Sequence, residues 1–449
     1  MKMFQEGLDC LASRALIRKI TKLEKQYYAE VFFPDQIDEG FDELIGMKSE
    51  KEVLTDALNF FKGIRIQANT TLLQPNTRYI IAGAPGSGKS PLIKALAKDA
   101  EVPLVKFNAY TFNDFPKKAV KIIDLIFEIV ESFGNGCVLT FENFGTICDS
   151  DSEPIKLLHN HLASKIQENE NAIVIIETAD SSLQMPSLYF KHNMFNINKV
   201  ITIMPPTLES RKELFAKYLS NFGIGLDEAL IERLAKNTMG MYPKDIEYVV
   251  QETLLRAVRT ESSEVSFKDF QETLLQRDAG QEHHSKLTED ERTATAYHEA
   301  GHVIAAYYSN PKYVLGRVEI TPRALSLGLT LEEVGEERYS FFKKDFENRI
   351  IYSLGGMAAE KLIYGQTSAG VSGDLESANA AAVSMIMNVG MSEKLGPIVF
   401  DEDIGFCSEK YYALAEDEVH KLLNDLFQYT YLIVSKHKAQ LEALTQALL

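Results

Sequence analysis

The sequence predicts an α/β phosphate-loop module, built on a five-stranded parallel sheet with a helical lid, followed by a mainly α-helical module. Three observations predict it. Between residues 40 and 205 short β-branched runs alternate with longer helical patterns. Beyond Pro205 and Pro206 only helical periodicity remains in the next stretch. One strand-to-helix junction carries the glycine-rich run Gly83 to Ser90.

Taken in order, residues 1–39 place Leu8, Leu11, Leu16 and Ile20 at helical spacing, interrupted by Arg14, Arg18, Lys19, Lys22 and Lys25. This reads as an amphipathic helical extension, either packed or used for docking, and it lacks the uninterrupted apolar core of a secretory signal. In residues 40–205 the strand runs are Arg78 to Ala82, Pro103 to Phe107, Cys137 to Phe141, Ala172 to Glu177 and Lys199 to Ile203. Residues 206–276 read as a lid with helices over Ser210 to Phe222, Asp227 to Thr238 and Pro243 to Thr260. The polar stretch 277–286, with Gly280 and His283-His284, reads as a linker, and 287–449 as the last, mainly helical domain.

The 449 residues suffice for several cores, and 45% hydrophobic with 25% charged residues is a folding composition. A net charge of −17 repels phosphate backbones and argues against nucleic acid as a partner. Cys10, Cys137, Cys148 and Cys407 form no C-x-x-C pair, so any metal must use histidines and carboxylates. No run approaches the ~20 apolar residues of a spanning helix. The expectation is a cytoplasmic chain, reaching a membrane only through a partner.

Gly83-Ala-Pro85-Gly86-Ser87-Gly88-Lys89-Ser90 fits G-x-x-x-x-G-K-[ST] after a strand and at the start of a helix. Glycines let backbone N–H groups face phosphates, the helix N-terminus adds positive potential, Lys89 reaches the outer phosphates and Ser90 can ligate Mg²⁺. ATP or ADP with Mg²⁺ is therefore the expected ligand. A second strand should end in acids, one to hold the metal and one to polarise water. Here it ends in Glu142 and Asn143, and an amide takes no proton.

His298-Glu299-Ala-Gly-His302 is an H-E-x-x-H pattern inside the helical segment Thr293 to Tyr308. The i, i+4 spacing puts both imidazoles on one face, able to share a Zn²⁺, with Glu299 as general base toward water. Gly301 inside a helix costs about 1 kcal/mol and implies close packing or a tuned site. Ala305 and Tyr308 stand where a longer pattern would supply its glycine and third histidine, so the third ligand is a remote carboxylate. The best candidate is Asp374, in Ser372-Gly-Asp374 at the mouth of a predicted helix over Leu375 to Val389, with Glu360 as runner-up.

With both motifs in this order, the sequence resembles the FtsH-type AAA proteases over residues 40 to 400. Phe41-Asp-Glu-Leu44-Ile45-Gly46 is similar to the family's adenine-side segment, and Tyr297 to His302 to its protease helix. Val318 to Arg323, Leu327 to Thr330 and Ser392 to Pro397 match further runs. Gly355 to Glu360 and Ser372 to Asp374 fall where the family has its second protease helix and its aspartate ligand, which favours Asp374. The resemblance implies an AAA module with a zinc peptidase domain, polypeptide substrates and a homo-hexameric ring.

Departures from the family pattern shape the functional expectation. Asn143 replaces the water-polarising acid, Ala179 the sensor asparagine, and Lys191 and Met194 the two arginine fingers. Arginine fingers contribute about 10³ to 10⁵ in rate, and lysine lacks their geometry. The pore segment Phe112 to Pro116 is shortened, leaving Phe115 as a substrate or core aromatic. The expectation is a zinc metalloendopeptidase acting in a ring, binding ATP with weak or absent hydrolysis. Its alternatives are a fully ATP-dependent protease and a non-catalytic adaptor or holdase of family hexamers.

Overall fold

The computed structural model describes residues 10–61, 77–147, 153–169, 172–178, 195–225, 227–261, 265–280, 287–323, 327–332, 340–400 and 408–449. Ala179, Lys191 and Met194 lie outside the described residues, as do 281–286 of the linker. Two compact units divide the chain, Met1–Gln251 and Glu252–Leu449.

The first unit opens with α1 (Cys10–Gln26) and β1 (Ala29–Phe32), followed by α2 (Lys48–Phe61). The parallel strands are β2 (Arg78–Ala82), β3 (Leu104–Asn108), β4 (Cys137–Glu142), β5 (Ala172–Thr178) and β6 (Lys199–Thr202), close to the five predicted runs. Their order across the sheet is β1-β3-β4-β5-β2-β6. The sixth strand, β1, pairs antiparallel with β3, Ala29 opposite Phe107. It covers an edge that would otherwise offer unpaired backbone groups.

Alternate side chains leave the strands on opposite faces. Cys137, Leu139, Phe141, Val174 and Ile176 enter one core, with α5 (Ala119–Glu131) and α6 (Glu153–Glu168). Tyr79, Ile81, Val138, Ile173 and Ile175 enter the other, with α3 (Lys89–Asp99). Burial on both faces explains why the strands read as continuous apolar runs. Phe112, on α4 (Tyr110–Asp114), is buried against Phe107, and Phe115 packs edge-on against Tyr27. After the sheet come α7 (Leu208–Ser220) and α8 (Glu228–Lys236), pinned by the buried Arg211, which donates to the carbonyls of Ala235 and Pro206.

The division between units falls inside α9 (Pro243–Arg259), and α10 (Phe267–Ala279) belongs to the second. There α11 (Glu289–Ser309) is the central helix. Its start is fixed by a capping box in which Thr288 and Glu291 exchange hydrogen bonds. Around it lie the hairpin β7 (Leu315–Glu319) and β8 (Leu329–Glu332), then α12 (Lys343–Ser353), α13 (Gly355–Tyr364), α14 (Ser372–Val383), α15 (Glu409–Lys436) and α16 (Lys438–Leu448). Ala300, Ile304, Ile351, Ala358, Val434 and Leu441 form one core where these helices meet.

Candidate functional site

Gly301 is what lets α11 and α13 touch backbone to backbone. A Cβ there would lie 2.4 Å from the Gly355 carbonyl oxygen, and one at Gly355 would lie 2.6 Å from that of Gly301. Gly356 likewise leaves room for the His298 ring, 2.5 Å from where its Cβ would be. This close crossing sets the two histidines against α13 and α14.

His298 Nε2 and His302 Nε2 are 3.1 Å apart. Asp374 Oδ2 lies 3.0 Å from the first and 3.3 Å from the second. Asp374 is the only carboxylate grouped with both histidines among the described residues. It sits in the first turn of α14, where the helix dipole favours negative charge. Glu360, the other sequence candidate, stands behind His298, its Oε1 2.8 Å from Nδ1. His302 Nδ1 faces the Tyr352 carbonyl oxygen at 2.8 Å.

Both Nδ1 partners are acceptors, so each Nδ1 carries the proton and each Nε2 presents a lone pair. Three lone pairs then face one another, which a shared cation relieves. Tetrahedral zinc with bonds of ~2.0–2.1 Å would separate its ligand atoms by about 3.3 Å, and the observed spacings are of that size. Electrostatics agree that the site draws a cation: burial opposes a charge on His298, yet Asp374 and Glu360 push its pKa up to about 10, so that without a metal a proton takes the place of one at Nε2. The residues therefore fit the metal.

Glu299 is buried and its pKa is raised by that burial. The Thr330 hydroxyl, at the hairpin, donates to its Oε2 at 2.7 Å. Gly328 leaves space for Oε1, which would lie 2.7 Å from a Cβ there. Tyr352 in turn donates through its hydroxyl to the Thr330 carbonyl. Thr330 and Tyr352 were not singled out as site residues from sequence, since neither sits in a motif whose spacing predicts a role.

In the first unit the phosphate loop joins β2 to α3. Gly86 and Gly88 have φ of 82° and 105°, conformations open to glycine, and buried Ser87 has a hydroxyl without a hydrogen-bond partner among the described residues. Pro85 lies exposed on the loop between Gly83 and Gly86. Lys89 donates to the carbonyls of Gly83 and Ala84. Leu44 is partly buried against the core that contains Tyr79 and Ile81, with Ile45 half-buried beside it. These features fit a phosphate cradle with an apolar flank.

Ser90 Oγ donates to Glu142 Oε1 at 3.3 Å. Asn143 follows in an exposed turn with φ 54°, which asparagine tolerates better than most residues. Two charged residues outside the motifs share this face of the sheet. Lys106 Nζ lies 2.9 Å from Glu142 Oε1. Glu177, its pKa raised to about 7 by burial, accepts from the Thr140 hydroxyl at 2.8 Å. Each is a charge within an apolar strand run, the one signal in the sequence that could have found them. Of the other histidines, His159 is buried beside Phe144, and His161 pairs with Asp124 at 2.9 Å.

The sequence pattern of "Peptidase family M41" matches residues 285–449, and that of the "ATPase family associated with various cellular activities (AAA)" matches residues 79–199. The "ATP-dependent zinc metalloprotease FtsH 1" of Rhodopirellula baltica is 28% identical over 91% of this chain and 63% of its own length. The "ATP-dependent zinc metalloprotease FtsH" of Marinobacter nauticus is 26% identical over 91% of this chain and 67% of its own. For "ATP-dependent zinc metalloprotease YME1L" of Drosophila melanogaster the figures are 27%, 93% and 58%. The chain thus spans about six-tenths of the length of these curated relatives. The chain carries an AAA module ahead of a family M41 peptidase module, and in both modules and in their order it is similar to the FtsH-type AAA zinc metalloproteases.

Proposed function

We propose that the chain is a zinc metalloendopeptidase cleaving polypeptides in a ring, a homo-hexamer as the family resemblance implies, whose nucleotide site binds ATP or ADP and hydrolyses it weakly or not at all. The observation that carries the peptidase reading is the convergence of His298, His302 and Asp374 with both imidazole tautomers set from behind. Zinc, when bound there, supplies Lewis acidity toward a scissile carbonyl and acidifies a bound water. Glu299 takes a proton at its carboxylate from the water whose oxygen bonds the scissile carbonyl carbon, and gives it to the leaving amine as the peptide C–N bond breaks. Its raised pKa brings it nearer the working pH, which suits a group that must both accept and donate. Thr330 holds the other carboxylate oxygen, so the proton-carrying oxygen keeps one orientation.

The test is cleavage of casein by protein of measured zinc content. Glu299→Gln should retain zinc and lose cleavage. Full zinc occupancy with no cleavage by the parent protein would instead favour the adaptor or holdase reading.

For the nucleotide module the reading is supported by an intact phosphate loop beside Asn143, which carries no proton-accepting carboxylate. Phosphate release should be near background and unaffected by Lys89→Ala; turnover that this substitution abolishes would restore the ATP-driven alternative. Ring assembly is tested by the mass of the purified protein in solution. Among the described residues no helix is long and apolar enough to cross a membrane. Membrane association, where it occurs, is assigned to a partner.

A further inference from the structure

The carboxyl ends of β3, β4 and β5 bring charged groups to one face of the sheet, the face covered by the phosphate-loop helix. Lys106 shares a face with Leu104, Glu142 with Val138, and Glu177 with Ile173 and Ile175, all on the side of the core that includes α3. Ligands in open α/β sheets collect at this end of the strands.

An Mg²⁺ ion at such a site ordinarily lies between the loop Ser hydroxyl and the acid ending the second strand. Here Ser90 Oγ and Lys106 Nζ both engage the same oxygen of that acid, Glu142 Oε1, at 3.3 and 2.9 Å. Lys106 is mostly covered, its side chain 17% exposed, and it also faces Glu30 of β1 at 3.5 Å and the field of Glu177 on β5. A lysine ammonium is a permanent cation at neutral pH. The carboxylate that should attract the divalent ion is therefore already paired, and an arriving divalent ion meets like charge.

We propose that Lys106 is a built-in cation of the nucleotide site, so that nucleoside di- and triphosphates bind without needing Mg²⁺ to hold them. The proposal rests on the reading that the phosphate loop binds nucleotide, and goes beyond it by assigning the counter-charge. Lys89 and Lys106 then flank the phosphates from the loop and from β3. A fixed ammonium neutralises phosphate charge but cannot arrange ligands octahedrally around itself as Mg²⁺ does. The same residue that supports binding thus contributes nothing to ordering a hydrolytic complex.

The test is titration of the full chain with a fluorescent ADP analogue, in buffer freed of divalent ions by chelating resin and with or without added Mg²⁺. Resin-treated buffer is used in place of free chelator so that the peptidase metal stays in place. The parent protein should lose less than about fivefold in affinity when Mg²⁺ is omitted. Lys106→Met should lose about tenfold or more in the Mg²⁺-free arm and recover when Mg²⁺ is added, while Lys106→Arg keeps the parent behaviour. A larger Mg²⁺ requirement in the parent protein, or unchanged Mg²⁺-free affinity in Lys106→Met, overturns the proposal alone. No binding in either buffer overturns it together with the nucleotide-binding reading. Should Lys106→Met not fold, the parent comparison still decides.

Discussion

Glu360 touches the proposed metal site only through an imidazole. Its carboxylate fixes the proton on His298 Nδ1 and strengthens Nε2 as a ligand. Glu360→Ala should weaken zinc binding by about 10- to 100-fold, read by competition with a chelator, while leaving helix content unchanged. Sequence could name both Glu360 and Asp374 but not separate ligand from orienting partner, because both are carboxylates on helices far along the chain from His298. Its place at a helix start ranks Asp374 ahead of Glu360, and the family resemblance widens that margin. Glu177 gives a second prediction at this scale. Its pKa is raised from 4.5 to about 7, so between these values the folded chain binds more protons than the unfolded one. Stability therefore falls as pH rises: the contribution is fully present below about pH 4.5 and lost through about pH 7. Glu177→Gln should flatten the pH dependence of the urea midpoint and stabilise the protein above pH 7 by up to about 3 kcal/mol. An unchanged slope in the variant would count against it.

The contact of α11 with α13 is where a single atom decides an element's position. At an exposed helical site Gly→Ala stabilises by about 1 kcal/mol. Gly301→Ala should do the reverse, destabilising by about 1–3 kcal/mol, because the new methyl meets the Gly355 carbonyl. Thermal unfolding gives the sign, and a more stable variant would contradict the close crossing. The helices of the second unit were legible where their apolar spacing was regular, and Gly301 announced close packing without naming its neighbour. The predicted helix over Leu375 to Val389 ends differently: α14 stops at Val383 and a π-helical turn covers Ser384–Asn388. Strand β1 escaped notice because four residues, Ala29 to Phe32, with a charge among them, carry too little periodicity. Glu142 is named by its motif, but its grouping with Lys106 and Glu177 is not legible in the sequence for another reason. It is assembled across strands, and strand order is not written in any local motif.

At the scale of the chain, each unit carries one of the two proposed ligand sites, that for metal in residues 252–449 and that for nucleotide in 1–251. A ligand that binds only the folded form stabilises the unit holding it. Calorimetry should therefore show a chelator lowering one unfolding transition and ADP raising another. One transition moved equally by both ligands would show instead that the units unfold together. Glu360 also accepts hydrogen bonds from the Ser368 backbone N–H and hydroxyl, just ahead of the helix that bears Asp374. One carboxylate thereby tethers the helix of the histidines to the approach of the aspartate helix. Stripping the ion should leave its cage standing, and reloading should proceed at the pace of diffusion into a finished cavity, without waiting for the chain to rebuild it.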